Sequence, residues 1–284
     1  MTASSRIADN PHHRRLRERY GSWAVVTGAS DGMGRDVAAL LAAAGLNLLL
    51  VARRAALLAE QAEHLRAACG VDVRTLSIDL GRPEDVARLI AHSAELDVGL
   101  LVAAAGFGTS GRLIDADIGR EAELLAVNCG AVLRLSHAFG RYFAARGRGG
   151  LVLFGSLVGR QGVPFAAHYA ASKAYIQSLA EGLRFELAPH GVDVLSVAPG
   201  PVSSGFAARA ALRMGRATSS EMAARDIVAA FGRRGTVVPG GLGRLLTRSL
   251  RPLPRGIRVR IMAGIMKGMV DPHERHRTGE ARPA

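Results

Sequence analysis

Short, continuously apolar runs alternate with longer amphipathic segments through most of the chain. The apolar runs predict strands buried on both faces, because they lack the polar alternation of a half-exposed sheet. The longer segments have the period and the terminal residues of helices. Together they indicate an α/β fold built on a doubly wound parallel sheet. Predicted strands cover residues 23–27, 46–51, 73–78, 99–102, 151–155, 192–197 and 236–238, and predicted helices cover 33–44, 54–69, 83–94, 117–145 and 166–188.

The alternating pattern occupies residues 21–239 and predicts a single domain with one core. Residues 1–20 are expected to form a flexible basic segment before the first strand. Residues 240–284 form a basic extension in which Leu, Ile and Met alternate with Arg. This amphipathic extension fits three roles: a lid folded back on the domain, a dimer contact, or a peripheral contact with an anionic membrane surface.

The formal net charge of +13 is concentrated at the ends, with +3 in residues 1–20, +7 in residues 240–284 and only +3 between them. A nucleic-acid-binding surface would spread basic residues over the folded domain, so no nucleic-acid partner is expected. Two cysteines are too few for a disulfide framework, and no stretch has the pattern of a leader or a bilayer-spanning helix. We therefore expect a cytoplasmic protein without a metal site.

A glycine-rich turn, Thr27-Gly-Ala-Ser-Asp-Gly-Met-Gly34, follows the first predicted strand. Ligands of doubly wound sheets bind at the carboxyl ends of the strands. Gly28, Gly32 and Gly34 allow a tight turn and close approach to a pyrophosphate, whose charge would lie at the N-terminus of the next helix. The turn therefore predicts a dinucleotide site. The same turn contains three further residues that are predicted to bind the dinucleotide, Ser30, Asp31 and Met33.

Arg53 and Arg54 stand at the end of the second predicted strand, where NAD-binding folds usually place an acid for the ribose 2′-hydroxyl. Guanidinium groups suit a 2′-phosphate instead, so the sequence favours NADP(H). The alternative is that both residues simply begin a surface helix in an arginine-rich chain. Asp79, after the third strand, is a candidate for contact with the adenine amino group or an ordinary turn residue.

Only two of the 37 Lys and Arg residues are lysines, Lys173 and Lys267. Lys173 follows Tyr169 by four residues in a predicted helix, so both side chains face the same small volume. An ammonium is a compact charge with three donors, whereas a guanidinium is a planar fork. The pair therefore predicts a phenol whose pKa is lowered by a neighbouring cation.

Taken together, these motifs resemble the common form of the short-chain dehydrogenase/reductase family over residues 21–239. Ser156 precedes Tyr169 by 13 residues, the usual separation in that family. Each motif alone is common in unrelated proteins, whereas the ordered set is specific. The resemblance implies a Rossmann-like fold and a homo-oligomer, either a dimer or a tetramer. It rests on Thr27-Gly-x-x-x-Gly-x-Gly34, Asp79-Leu80, Asn128, Ser156, Tyr169-x-x-x-Lys173 and Pro199-Gly200-Pro201-Val202.

The resemblance implies a carbonyl reductase or alcohol dehydrogenase that transfers a hydride between NADP(H) and a small-molecule carbonyl or secondary alcohol. Tyr169 would act as general acid and base, with its phenolate stabilised by Lys173 and the oxidised nicotinamide. Ser156 would donate a hydrogen bond to the substrate oxygen, and Asn128 would hold a water that passes protons through Lys173. Further cofactor-binding residues implied by the family motifs are Leu80, Ala105, Gly106, Pro199, Gly200 and Val202, besides Tyr169 and Lys173.

One departure from the family pattern is Ala103-Ala104-Ala105-Gly106, where the family usually has Asn-Asn-Ala-Gly. The Ala-Gly pair that lets the cofactor approach is retained. The amide side chains that brace the central strands are absent, so their polar contacts should be missing or supplied by other residues.

The predicted substrate site combines the polar Ser156 and Tyr169 with the apolar Leu157, Phe165 and Phe206. An apolar wall favours a ketone, a ketoacyl chain or a polycyclic compound. A competing interpretation is a non-catalytic NADP(H)-sensing protein on the same fold. The complete set of catalytic residue types argues against that interpretation.

Overall fold

The structure is a computed structural model that describes residues 11–270 except 213, 214 and 216. The strands are β1 (Trp23–Thr27), β2 (Asn47–Ala52), β3 (Val73–Ser77), β4 (Val98–Ala103), β5 (Gly149–Phe154), β6 (Val192–Val197), β7 (Val202–Ser203), β8 (Thr218–Ser219) and β9 (Thr236–Val237). The α-helices are α1 (Pro11–Tyr20), α2 (Gly32–Ala43), α3 (Ala55–Cys69), α4 (Pro83–Ala94), α5 (Ile118–Leu125), α6 (Val132–Arg146), α7 (Ala167–Leu187), α8 (Phe206–Arg209), α9 (Ser220–Ala230), α10 (Gly241–Leu250) and α11 (Arg255–Met269). Short 3₁₀ turns cover Leu113–Asp115, Leu157–Arg160 and Ala188–His190, and a π-helical segment covers Ala126–Ala131.

Seven parallel strands form the central sheet in the order β3-β2-β1-β4-β5-β6-β9, which confirms the predicted doubly wound, Rossmann-like fold. Consecutive residues of β1 contact opposite cores: Val25 packs in one hydrophobic cluster and Val26 in the other. Helices therefore cover both faces of the sheet. The strand order reverses between β1 and β4, and this reversal opens a crevice at the carboxyl ends of the strands.

The predicted long helix over residues 117–145 occurs as α5, the π-helical segment and α6 in succession. Asp117 caps its start by accepting a hydrogen bond from the backbone N–H of Gly119. The structure also contains α9, which the sequence did not predict. Ser219 caps this helix by accepting a hydrogen bond from Met222 N at 3.2 Å, and the helix packs against α2.

The expectation of a flexible segment over residues 1–20 is wrong for residues 11–20, which form α1. Leu16 and Tyr20 are buried in the hydrophobic core. The Tyr20 hydroxyl donates a hydrogen bond to Asp193 Oδ2 at 2.8 Å, and Arg19 pairs with the same carboxylate. These contacts attach α1 to β6, more than 170 residues away in the sequence. Residues 1–10 lie outside the described part of the chain.

The C-terminal extension folds back onto the domain through α10 and α11. Met262 and Met266 are buried against Val163, Ala166 and Ala170, next to the start of α7. Among the three roles considered for this extension, this packing has the geometry of a lid. Within the described residues, no helix combines the length and apolar character needed to cross a bilayer; residues 271–284 lie outside them.

Leu16→Ala is expected to lower the free energy of unfolding by about 2–5 kcal/mol, because truncating a buried leucine leaves a cavity between α1 and the sheet. Urea unfolding followed by circular dichroism measures the change. Arg14→Ala alters an exposed residue of the same helix and should change the value by less than about 0.5 kcal/mol. Equal values for both variants would mean that α1 does not pack on the domain.

Candidate functional site

The glycine turn after β1 brings the backbone of two strands into close contact. Gly28 has a left-handed φ of 67°, and a Cβ built there would lie 2.8 Å from the backbone N of Ala105 at the end of β4. A Cβ on Gly34 would lie 2.5 Å from the carbonyl oxygen of Gly28. Thr27 ties the two strand ends together, since its Oγ1 accepts a hydrogen bond from Ala105 N at 3.1 Å. Only glycine fits at these positions, and the N-terminus of α2 is left open to the crevice.

A cavity of about 260 Å³, called here the glycine-loop cavity, occupies this crevice. Its lining includes twelve residues that the sequence assigned to a cofactor: Gly28, Ser30, Asp31, Gly32, Met33, Gly34, Arg53, Arg54, Asp79, Leu80, Ala105 and Gly106. The sequence did not single out Ser204 or Arg209, which also line it. Ser204 lies just before α8 and Arg209 ends this helix, so both reach the cavity from a part of the sequence far from the glycine turn.

Charged side chains gather at the mouth of the glycine-loop cavity. Arg54 donates hydrogen bonds to Ser30 Oγ at 2.9 Å and to the Ser30 carbonyl at 3.2 Å, and Arg53 Nη1 pairs with Glu123 at 3.1 Å. Asp31 binds Arg209 at 2.8 Å. Partial burial raises the pKa of Asp31, but the hydrogen bond and charge of Arg209 outweigh it and hold that pKa below its ordinary value. Both arginines at the end of β2 line the cavity, and each pairs with a carboxylate, Arg53 with Glu123 and Arg54 with Asp31 at 3.8 Å.

Asn128 supplies polar contacts at the end of β4. It lies buried in the π-helical segment, and its Nδ2 donates to the carbonyl of Phe107 at 2.9 Å and to Ser172 Oγ at 3.2 Å. Its Oδ1 accepts a hydrogen bond from Phe107 N at 3.1 Å. With Thr27, this amide braces the strand end that lacks the usual asparagine pair. The polar contacts expected to be lost at Ala103-Ala104 are thus partly supplied from other elements.

Lys173 is buried at 6% exposure, and its Nζ donates to the carbonyl oxygen of Phe154 at 2.9 Å. The same nitrogen lies 5.8 Å from the centroid of the Tyr169 ring, as their helical spacing predicts. A Cβ on Gly106 would lie 3.4 Å from it, so Gly106 keeps the space beside the ammonium open. The end of β5, the start of α7 and the turn after β4 therefore meet at Lys173.

The pKa values of the pair differ from the prediction. Burial raises the pKa of the Tyr169 phenol above its ordinary value, and a hydrogen bond with Ser156 lowers it by less. Burial lowers the pKa of the Lys173 ammonium to about 8. Burial is the largest cause of both shifts and acts on the phenol in the direction opposite to the prediction, whereas the effect of Lys173 on the phenol stays a prediction.

A second cavity, of about 240 Å³, adjoins the first and is called here the apolar cavity. Ser156, Leu157, Tyr169 and Phe206 line it, as predicted for a substrate site. Met33, Ser204 and Phe206 line both cavities, which therefore meet at these side chains.

The apolar cavity is also lined by three residues that were predicted to bind cofactor, Pro199, Gly200 and Val202. Unpredicted lining residues from the extension include Leu246, Leu250, Arg251, Arg258, Met262 and Met266.

Three predicted site residues line neither cavity: Asn128, Phe165 and Lys173. Phe165, with a left-handed φ of 62°, packs against the cluster around Met262 instead of forming the substrate wall. Its carbonyl accepts a hydrogen bond from Gly111 N at 2.8 Å, which holds this turn. Lys173 lies behind the cavity wall, bound to Phe154. Across the described residues, no cluster of three or more His, Cys, Asp or Glu side chains is arranged to hold a metal ion.

A family model described as short chain dehydrogenase matches residues 22–214. The 7beta-hydroxysteroid dehydrogenase of Clostridium sardiniense is 35% identical over 185 residues, which cover 65% of this chain and 71% of that protein. The very-long-chain 3-oxoacyl-CoA reductase of Podospora anserina is 37% identical over 199 residues, which cover 68% of this chain. That match spans 58% of the fungal protein, less than two thirds of its length.

Among solved structures, a short-chain dehydrogenase from Sphingobium yanoikuyae in complex with NADPH is similar to this chain, with a TM-score of 0.76 and 28% identity. The match covers 93% of this chain and 98% of that one. The segment matched by the family model contains the glycine turn, Asn128, Ser156, Tyr169 and Lys173.

Lys173 should give the folded protein a defined pH dependence of stability. Because burial lowers its pKa from 10.5 to about 8, the folded protein releases this proton at a lower pH than the unfolded chain. The cost of burying the charge is therefore full below about pH 8 and declines as the pH rises toward about 10.5. The free energy of unfolding of the wild type minus that of Lys173→Met should rise by about 2 kcal/mol from about pH 7.5 to about pH 9.5.

Urea unfolding at the two pH values measures this difference, and titrating groups that do not interact with Lys173 cancel in the subtraction. Lys267→Met replaces the only other lysine, which is exposed on α11, and should show no comparable rise. A flat difference for Lys173→Met would mean that the ammonium is solvated in the folded protein.

Proposed function

Because the chain belongs to the short-chain dehydrogenase family, we propose that it is an NADP(H)-dependent oxidoreductase that interconverts an apolar carbonyl compound and its secondary alcohol. One observation carries the proposal: Ser156 and Tyr169 line an apolar cavity that opens into the glycine-loop cavity, with Lys173 Nζ 5.8 Å from the Tyr169 ring. A proton donor and a hydride donor can therefore reach one carbonyl group from neighbouring cavities.

The residues of the glycine-loop cavity fit NADP(H). Gly28 and Gly34 leave the backbone bare for a pyrophosphate at the N-terminus of α2, where the helix dipole favours anionic groups. Arg53 and Arg54 would hold the 2′-phosphate, and Asp79 would hold the adenine. When bound, NADPH supplies the hydride for carbonyl reduction. The solved relative from Sphingobium yanoikuyae, which binds NADPH, supports this choice of cofactor.

The chain's part in reduction is to hold the carbonyl oxygen and give it a proton. Ser156 Oγ would donate a hydrogen bond to that oxygen, and the Tyr169 hydroxyl would transfer its proton to it. A phenol is protonated at neutral pH, which is the form that a general acid requires, but burial raises the pKa of Tyr169, so proton donation would need nearby positive charge. Lys173, with a pKa of about 8, can pass a proton back toward Tyr169 from a water held near Asn128.

The apolar cavity favours a hydrophobic substrate. The lining contributed by α10 and α11 is dominated by Leu, Ile and Met, and methionine adapts its shape to irregular ligands. Two relatives are named for a hydroxysteroid and a very-long-chain 3-oxoacyl group, both mainly hydrocarbon. A steroid-like or long-chain ketone is accordingly the substrate class we propose, with the extension as its lid.

Tyr169→Phe is expected to lower kcat for ketone reduction by about 10²–10⁴-fold, because it removes the proton donor while leaving the ring in place. NADPH oxidation, followed by absorbance over a panel of steroid and long-chain ketones, measures the change. NADPH affinity, measured by fluorescence titration, should stay near the wild-type value in Tyr169→Phe.

Lys173→Arg should lose most turnover as well, since a planar guanidinium cannot replace the compact ammonium.

Lys267→Arg makes the same exchange on the exposed surface of α11 and should retain wild-type turnover. Wild-type protein that binds NADPH tightly but reduces no ketone of the panel would contradict the enzyme proposal. That outcome would favour the non-catalytic NADP(H)-sensing protein considered from the sequence.

Arg53→Ser is expected to weaken NADPH binding by about tenfold or more and to leave NADH binding unchanged, because only NADPH carries the 2′-phosphate. Fluorescence titration with both nucleotides gives the two ratios. Arg134→Ser changes an exposed arginine of α6 that lines neither cavity and should affect neither nucleotide. Equal losses for NADPH and NADH in Arg53→Ser would rule out a 2′-phosphate contact.

A further inference from the structure

Three arginines line the apolar cavity although the rest of its wall is almost entirely hydrocarbon. Arg160 ends the 3₁₀ turn after Ser156, Arg251 follows α10, and Arg258 lies in the first turns of α11. Arg160 and Arg251 are exposed, so they mark where the cavity opens to solvent. The wall thus runs from the polar pair Ser156 and Tyr169, across an apolar stretch, to a basic opening.

Arg258 is the most buried of the three arginines. Its Nε is buried and has no hydrogen-bond partner among the described residues. Met262 lies four residues further along α11, on the same face of the helix, and is buried against the domain. The guanidinium is therefore held against apolar side chains by the packing of its own helix.

No carboxylate lines this cavity within the described part of the chain. Residues 240–270 contain six arginines and one lysine but no Asp or Glu, so the described part of the extension offers no counter-ion. A buried donor without a partner, and a cation without a counter-charge, both cost free energy. The chain retains this cost at the edge of a cavity that a ligand would fill.

We propose that the substrate carries an anionic head group at the end remote from its reacting carbonyl, and that Arg258 binds this group with Arg160 and Arg251 around it. The inference rests on the proposed function, because it assigns the same cavity to the substrate. A guanidinium fork matches the paired oxygens of a carboxylate or phosphate. The class is thus an amphipathic molecule: a hydrocarbon body for Met262 and Met266, and an anion for the arginines.

Binding of unreactive amphiphiles tests this recognition without requiring turnover. Isothermal titration calorimetry of the full chain with octanoate, octyl phosphate and 1-octanol compares the same hydrocarbon with two anionic heads and a neutral one. Octanoate or octyl phosphate should bind wild type more tightly than 1-octanol. Arg258→Gln should weaken binding of the preferred anion by about tenfold or more and leave 1-octanol unchanged, since a charge-assisted hydrogen bond is lost. The preferred head identifies a carboxylate or a phosphate ester.

Arg255→Gln is the matched control, because Arg255 is exposed on the same helix and does not line the cavity. Arg258→Lys keeps the charge and should recover part of the lost affinity. Equal affinity for the anions and 1-octanol, or an equal loss in Arg255→Gln and Arg258→Gln, would overturn the proposal. Melting temperatures of the variants separate loss of binding from loss of folding.

Different experimental results would contradict the enzymatic function and the anionic head group. Wild-type protein that reduces no ketone but binds octanoate through Arg258 would contradict the enzymatic function alone. Protein that reduces ketones while binding octanoate equally in wild type and Arg258→Gln would contradict the anionic head group alone.

Discussion

Burial of both faces of the sheet is the constraint on which the rest of this structure depends. Strands β1, β4 and β5 are buried along their whole length, so ligand-binding polar side chains cannot lie on either face of the sheet. A binding site is confined to the carboxyl ends of the strands, where the order reverses between β1 and β4. The close contact of Gly28 with Ala105 shapes that edge, and the two cavities meet beside it.

Lys173 is a buried cation at this edge of the sheet. Lys173 is tolerated in the interior because the carbonyl of Phe154 accepts one of its hydrogen bonds, while burial depresses its pKa. The same burial raises the pKa of the Tyr169 phenol. Positive charge near the phenol would lower that pKa, and in the proposed function Lys173 and the oxidised nicotinamide would supply it.

The fold of the extension shows where part of the net positive charge lies. Its arginines suggested a surface for an anionic partner, but α10 and α11 fold over the apolar cavity and bring part of that charge to its opening. Met262 and Met266 close the cavity with apolar side chains, while Arg258 adds a cation at its edge. Hydrocarbon and charge are thus separated within one helix, a pattern suited to an amphipathic ligand.

The sequence by itself determined the alternation of strands and helices, the glycine turn and the Tyr169–Lys173 pair, because these depend on local spacing and residue chemistry. Only the tertiary structure decided the docking of α1 through Leu16, the exclusion of Phe165 from the cavity wall and the raised pKa of the phenol. It also brought Arg258 to the edge of the apolar cavity. Burial and electrostatic coupling arise from contacts between residues distant in the chain, which local patterns do not specify.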